Sequence, residues 1–133
     1  MAAARAHRRR AALALAPLGL HPGQELLVSI LAKRGSATQV QLARIMGIEP
    51  PTVAKMVGRL EAAGFAERIA DPRDARAKLV SLTDQGRDAA AHLDAVWAEL
   101  SALTAAALTP DEADQLTRLL TRVAERLGRD DQP

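Results

Sequence analysis

Residues 38–83 read TQVQLARIMGIEPPTVAKMVGRLEAAGFAERIADPRDARAKLVSLT, and this stretch decides the fold. Thr38 and Gln41 have the T-x-x-Q spacing of a capping box, in which the two side chains satisfy each other's backbone N–H groups, so a helix is expected to start at Thr38. Val40, Leu42, Ala43 and Met46 supply its apolar face. Gly47 follows as the residue that ends a helix in the left-handed conformation at little cost, and Ile48 packs into the corner. Pro50-Pro51 cannot continue a helix but can begin one, because the first turn has no partner for an N–H in any case. From Pro51 a second helix is expected, with Val53, Met56, Val57 and Leu60 inward, Thr52, Lys55 and Arg59 on the opposite face, and Gly64 at its end.

Two short strands are expected next, over Phe65–Ala70 and Lys78–Leu82. Between them Asp71-Pro72-Arg73-Asp74-Ala75-Arg76 forms a turn, since Asp-Pro favours a turn and Asp bonds its own backbone. Arg68, Arg73, Arg76 and Lys78 crowd this hairpin, which suits a phosphate or minor-groove probe. Asp71 and Asp74 would repel phosphate if unpaired, and are expected to hold the neighbouring arginines by salt bridges. Two helices joined at a glycine turn and followed by a basic hairpin make a winged helix-turn-helix, an arrangement that places one helix in the DNA major groove with the hairpin tip beside it.

The QLARIMGI and PPTVAKMVGRLEAAGF blocks, the DPRDAR wing and the closing SLTDQGR resemble the MarR family (multiple antibiotic resistance regulators) of bacterial transcriptional regulators. The helix-turn-helix is shared by many regulators; the D-x-R-D-x-R wing ending in L-T-x-x-G is the more specific part. The preceding LGLHPGQELLVSIL and the long helical tail also match the family's layout, so the resemblance covers most of the chain. It implies that Thr52, Lys55 and Arg59 lie on the recognition helix with Pro51 near its start, that Arg73 at the wing tip reaches the minor groove, and that Asp71, Asp74 and Arg76 shape the wing. The expected DNA-contacting set is Thr38, Pro51, Thr52, Lys55, Arg59, Arg73, Arg76 and Lys78. Two features depart from the common pattern. The segment before Leu18 is short for a first dimerisation helix, and Ala75 stands where many members carry a second arginine.

Charge is distributed in keeping with this division. The chain of 133 residues has net charge +2, but residues 1–32 carry +3, residues 33–87 carry +4 and residues 88–133 carry −5. A positive winged segment attached to a negative tail suits a DNA-facing part joined to an assembly part. With one Phe, one Trp and no Tyr, the core must be built from Leu, Ala, Val and Ile. Such a small aliphatic core gains by being shared with a second copy. The absence of cysteine excludes disulfides, thiolate metal sites and a cysteine-based redox switch within this chain.

Outside the wing, His21-Pro22-Gly23-Gln24 reads as a helix start with Pro22 first, and Leu26, Leu27, Ile30 and Leu31 form that helix's apolar face. Thr83 caps a long helix from Asp84 to Ala107, striped by Ala89, Leu93, Val96, Trp97, Leu100, Leu103 and Ala107. Thr109-Pro110-Asp111-Glu112 opens the last helix, striped by Leu116, Leu119, Leu120, Val123 and Leu127. The final RDDQP is expected to fray. The basic-then-apolar start has the outline of a signal peptide, but its apolar part is short and runs into the fold, so it is read as a basic, Ala-rich helix. No run approaches the roughly 20 apolar residues that span a bilayer.

The expected fold is mainly α with a small β-wing. It is one domain over 1–133, with a winged helix-turn-helix at 20–87 and dimerisation helices at 1–19 and 88–130. The expected function is sequence-specific DNA binding by a cytoplasmic homodimer, a ligand-responsive repressor of a pseudo-palindromic operator. The alternatives are a winged-helix protein-interaction module and a ligand-independent DNA binder. A small aromatic or phenolic effector is implied by the resemblance alone. Trp97 on the apolar stripe is read as core or dimer packing, with an effector pocket as the other reading. No enzyme is expected: His7, His21 and His92 are isolated, no nucleotide-binding or nucleophile motif is present, and no metal or cofactor is called for.

Overall fold

The computed structural model describes residues 2–129. Its elements are α1 (Ala2–Leu15), a 3-10 turn (Ala16–Leu18), α2 (Gln24–Arg34), β1 (Ser36–Ala37), α3 (Gln39–Met46), α4 (Pro50–Ala62), β2 (Ala66–Asp71), β3 (Asp74–Leu82), α5 (Asp84–Ala105) and α6 (Pro110–Arg129). Residues 130–133, four of the five expected to fray, lie outside the described residues, as does the side chain of Ala75. The chain divides within α5 into two compact units, one ending at Ala98 and the other beginning at Glu99. The mainly α fold with a small antiparallel wing is the one expected.

The first unit is built around one aliphatic core. Leu15 from α1, Leu20 from the connection after it, Leu27, Val28 and Leu31 from α2, Leu42 from α3, Val53, Val57 and Leu60 from α4, Val80 and Leu82 from β3 and Leu93 from α5 are all buried together, with Phe65 closing one side. Ile48, Met56, Val96 and Trp97 pack against this cluster, so Trp97 is a packing residue of the winged unit.

Local sequence accounts for most element boundaries. Both halves of the Thr38–Gln41 capping box form, at 2.9 and 3.2 Å, and Gly47 ends α3 at φ 64°. Val40, however, is 61% exposed. Residues two apart on a helix point to nearly opposite sides, so Val40 cannot share the face of Leu42, which is buried. α4 begins one residue earlier than expected, at Pro50, with Glu49 as its cap, so both prolines lie in the first turn. Val53, Val57 and Leu60 are buried while Thr52, Lys55 and Arg59 are exposed.

α2 corrects the expected start. Pro22 precedes the helix, Gly23 is its cap at φ 99° and Gln24 is its first residue. The Gln24 side chain turns back to accept the His21 N–H at 2.9 Å. This register puts Gln24, Leu27, Val28 and Leu31 on the buried face, with Ile30 packed partly buried against the core; of the four expected residues Leu26, Leu27, Ile30 and Leu31, only Leu26 is exposed.

The sheet has the order β1-β3-β2, and β1 is a two-residue strand that its sequence does not announce. Ser36 and Ala37 pair with Ser81 and Val80, which ties the start of the helix-turn-helix to the base of the wing. β2 begins at Ala66 rather than Phe65, and β3 reaches back to Asp74. The expected six-residue turn is therefore only Pro72-Arg73, closed by Asp71 opposite Asp74.

The L-T-x-x-G-R segment joins wing to α5 by contacts that leave little freedom. The Thr83 N–H donates to the Phe65 carbonyl at 3.0 Å, its hydroxyl donates to the Gly64 carbonyl, and the Thr83 Oγ1 accepts the Gly86 N–H at 3.1 Å. The Arg87 guanidinium donates to the Leu82 carbonyl at 2.6 Å and pairs with Asp84. A Cβ at Gly86 would lie 2.0 Å from the Phe65 carbonyl oxygen, so only glycine fits there.

In the second unit, α5 ends at Ala105, two residues before the expected Ala107, where the Leu108 N–H closes a turn on the Ala105 carbonyl at 2.9 Å. Thr109 and Glu112 form the expected cap of α6, at 2.8 and 3.3 Å. The Thr109 backbone N–H, aided by its hydroxyl, holds the Glu112 carboxyl below the usual value. The α6 residues Leu116, Leu119, Leu120, Val123 and Leu127 are all exposed.

Candidate nucleic-acid interface

The outward row of α4 follows from its buried row. With Val53, Val57 and Leu60 anchored in the core, 100° per residue leaves Thr52, Lys55 and Arg59 facing away from it, and Pro51 is exposed at the same end. Neither Lys55 nor Arg59 is held by a hydrogen bond or ion pair among the described residues. Two unpaired cations and a hydroxyl on a helix braced from behind can donate to phosphate oxygens or to base edges.

The wing is shaped by its aspartates. Asp71 Oδ1 accepts the Arg73 N–H at 2.8 Å and lies 3.6 Å from the Arg73 side chain. Asp74 Oδ1 accepts the Arg76 N–H at 3.0 Å. The expected salt bridge therefore forms for Asp71, whereas Asp74 holds Arg76 through the main chain. Two such local turns set a two-residue hairpin tip and neutralise part of its charge. The pair with Asp71 leaves the Arg73 side chain 85% exposed, and at 3.6 Å, with the guanidinium in water, it does not keep that cation from another partner.

The fold also brings together residues that are distant in sequence. Thr38 at the start of α3 and Lys78 on β3 line one groove of about 480 Å³, together with Gln39, Val40 and Arg68. Arg68 is further tied to Glu61 near the end of α4 at 3.2 Å, a link between helix and wing. Sequence spacing carries no signal for that pair; only the packing of β2 beside the end of α4 creates it. Arg73, at the hairpin tip, and Thr52, Lys55 and Arg59, on α4, do not line this groove.

Other chemistry is not assembled. His7, His21 and His92 are exposed, and His92 Nδ1 is 2.7 Å from the Asp88 carbonyl, which it meets as a donor. Among the described residues no group of His, Asp and Glu could hold a metal ion, and no helix is long and apolar enough to cross a membrane.

Comparison with known proteins gives the arrangement a family. The model of the MarR family matches residues 20–78, from the turn before α2 to the middle of β3. The chain is similar to the HTH-type transcriptional regulator YkoM of Bacillus subtilis, with 30% identity over 104 residues that span 78% of this chain and 68% of the relative. It is also similar to a second such regulator of that organism, YwaE, with 32% identity over 93 residues, 70% of this chain and 54% of the relative. Its fold matches that of a mutant MarR from Escherichia coli complexed with operator DNA, with TM-score 0.80 and 25% identity, over 91% of this chain and 87% of that one. With its helix-turn-helix, its wing and the L-T-x-x-G junction in place, the chain belongs to the MarR family of DNA-binding transcriptional regulators, which are not enzymes.

Proposed function

We propose that this regulator works in the cytoplasm as a homodimeric, sequence-specific repressor, with two α4 helices entering successive major grooves of a pseudo-palindromic operator about one helical turn (~34 Å) apart. The observation that carries this reading is the uncovered outer row of α4, Thr52, Lys55 and Arg59, on a helix whose inner row is buried. Pro51 brings its end close to the groove. Arg73 enters the minor groove, while Thr38, Arg76 and Lys78 contact phosphates and Asp71 and Asp74 hold the wing in shape. The 133 residues act as one functional domain: 20–87 meet DNA, and 1–19 and 88–130 join the two copies. The exposed apolar stripe of α6 supports that use. A small aromatic or phenolic effector that changes the spacing of the two winged parts is a step supported by the family likeness alone.

Selection of bound sequences from random duplex DNA, followed by titration at several salt concentrations, tests the reading. The selected motif should be an inverted repeat, and affinity should fall steeply with salt. Lys55→Ala should weaken cognate binding by about 1–3 kcal/mol and relax preference at one base position per half-site. A chain that selects no motif and binds duplex DNA without salt dependence is not a DNA reader of this kind.

A further inference from the structure

The two helices of the helix-turn-helix begin with opposite chemistry. The α3 start is a capping box beside Lys78 and Arg68, which favours an anion. The α4 start offers no free backbone donor. Pro50 and Pro51 carry no N–H, and the Thr52 and Val53 N–H groups both donate to the Glu49 carbonyl, at 2.9 and 3.3 Å. What stands at this end is the Glu49 carboxylate, exposed, making no cap to its own helix and held by no hydrogen bond or ion pair among the described residues.

A bare carboxylate is costly on a surface that meets a polyanion, unless DNA supplies it with a donor. In the major groove the donors are the amino groups of cytosine and adenine. A carboxylate is acceptor-only. On its own edge adenine sets its amino group beside the N7 acceptor, which would face the second carboxylate oxygen, whereas the cytosine amino group is flanked on its own edge by C5–H, the nearest acceptor being O6 of the paired guanine on the other side. We propose that Glu49 is a specificity-determining residue, whose carboxylate accepts a hydrogen bond from the N4 amino group of a cytosine in each half-site and disfavours placements that bring phosphate to the tip of α4. This rests on the proposed function, in which α4 is the reading helix.

The test uses the full chain, with E49A and E49Q measured against the selected operator, all single-base variants of one half-site, and a random duplex, at fixed salt. Because Glu49 serves α4 only through its main-chain carbonyl, both variants should melt with the parent. E49A should lose about tenfold on the operator while binding the random duplex as well as the parent or better, and its preference for cytosine should vanish at one position. E49Q should move that preference toward adenine, the partner of a carboxamide, a change that removal of a charge alone would not produce. If E49A shifts operator and random duplex by the same factor, or no base position changes preference in either variant, Glu49 is a bulk charge and the proposal fails. A parent that selects no operator overturns the proposed function itself, an outcome distinct from a parent that binds and variants that read as it does.

Discussion

α4 and α6 are both amphipathic helices with a clean apolar row, yet their rows meet different fates. In α4, Val53, Val57 and Leu60 are fully buried, 0% exposed, against side chains from α1, α2, α3, β3 and α5. In α6, Leu116, Leu119, Leu120, Val123 and Leu127 remain 40–64% exposed. Periodicity states that a helix has an apolar face, but it does not state where the covering surface comes from. Fully burying a Leu or Val contributes about 1.5–3 kcal/mol, so five half-exposed residues leave several kcal/mol available to a partner. The inner row of α4 has completed its burial within the chain; the row of α6 has not.

The largest effect that sharpens this contrast comes from placing the same charge on each row. Leu60→Asp should unfold the winged unit, by about 4 kcal/mol or more, because the carboxylate would be buried without a partner. Leu120→Asp should leave that unit's thermal transition in place and instead weaken the proposed dimer by about a hundredfold or more in dissociation constant. Calorimetry and light scattering at micromolar concentration read the two outcomes. A parent chain of stable monomer mass would break the comparison.

Next in size is Gly86→Ala. The added methyl would collide with the Phe65 carbonyl, so the junction between wing and α5 must shift, at a cost of about 3 kcal/mol. Denaturant unfolding checks it, and an unchanged midpoint would mean that the junction yields easily. Thr83→Ala removes the cap of α5 and the bond to the Gly64 carbonyl, and should cost about 1–2 kcal/mol by the same measurement. The smallest effect should have the opposite sign. Gly58 lies inside α4 on its exposed side, and a Cβ there would meet nothing within 4 Å. Gly58→Ala should therefore stabilise the winged unit by up to about 1 kcal/mol through helix propensity. A loss of stability would show that the outer surface of α4 is more constrained than its open surroundings indicate.

Legibility followed the range of the interactions. The capping boxes at Thr38 and Thr109, the glycine end of α3 and the inward row of α4 depend on residues three or four apart, and their spacing exposes them directly. Val40 and Leu26 were misplaced because an apolar residue on a helix is not bound to the buried face; which side is inward depends on the register that packing selects. The candidate site divides in the same way. Thr52, Lys55, Arg59 and Arg73 were readable as outward cations and a hydroxyl, whereas the Glu61–Arg68 link and the bare Glu49 carboxylate required the three-dimensional arrangement.

The sequence by itself thus determined the order of the helices and of the two wing strands, the helix starts that carry their own caps and the basic character of the wing, because each is settled by backbone chemistry within one or two turns. Tertiary structure alone decided the pairing of β1 with β3, the narrow Pro72-Arg73 tip, the groove between Thr38 and Lys78 and the necessity of Gly86. Each of these joins segments or atoms whose distance is unspecified until the core of α2, α3, α4 and β3 has closed, and burial of that common core, not any local preference, brings them together.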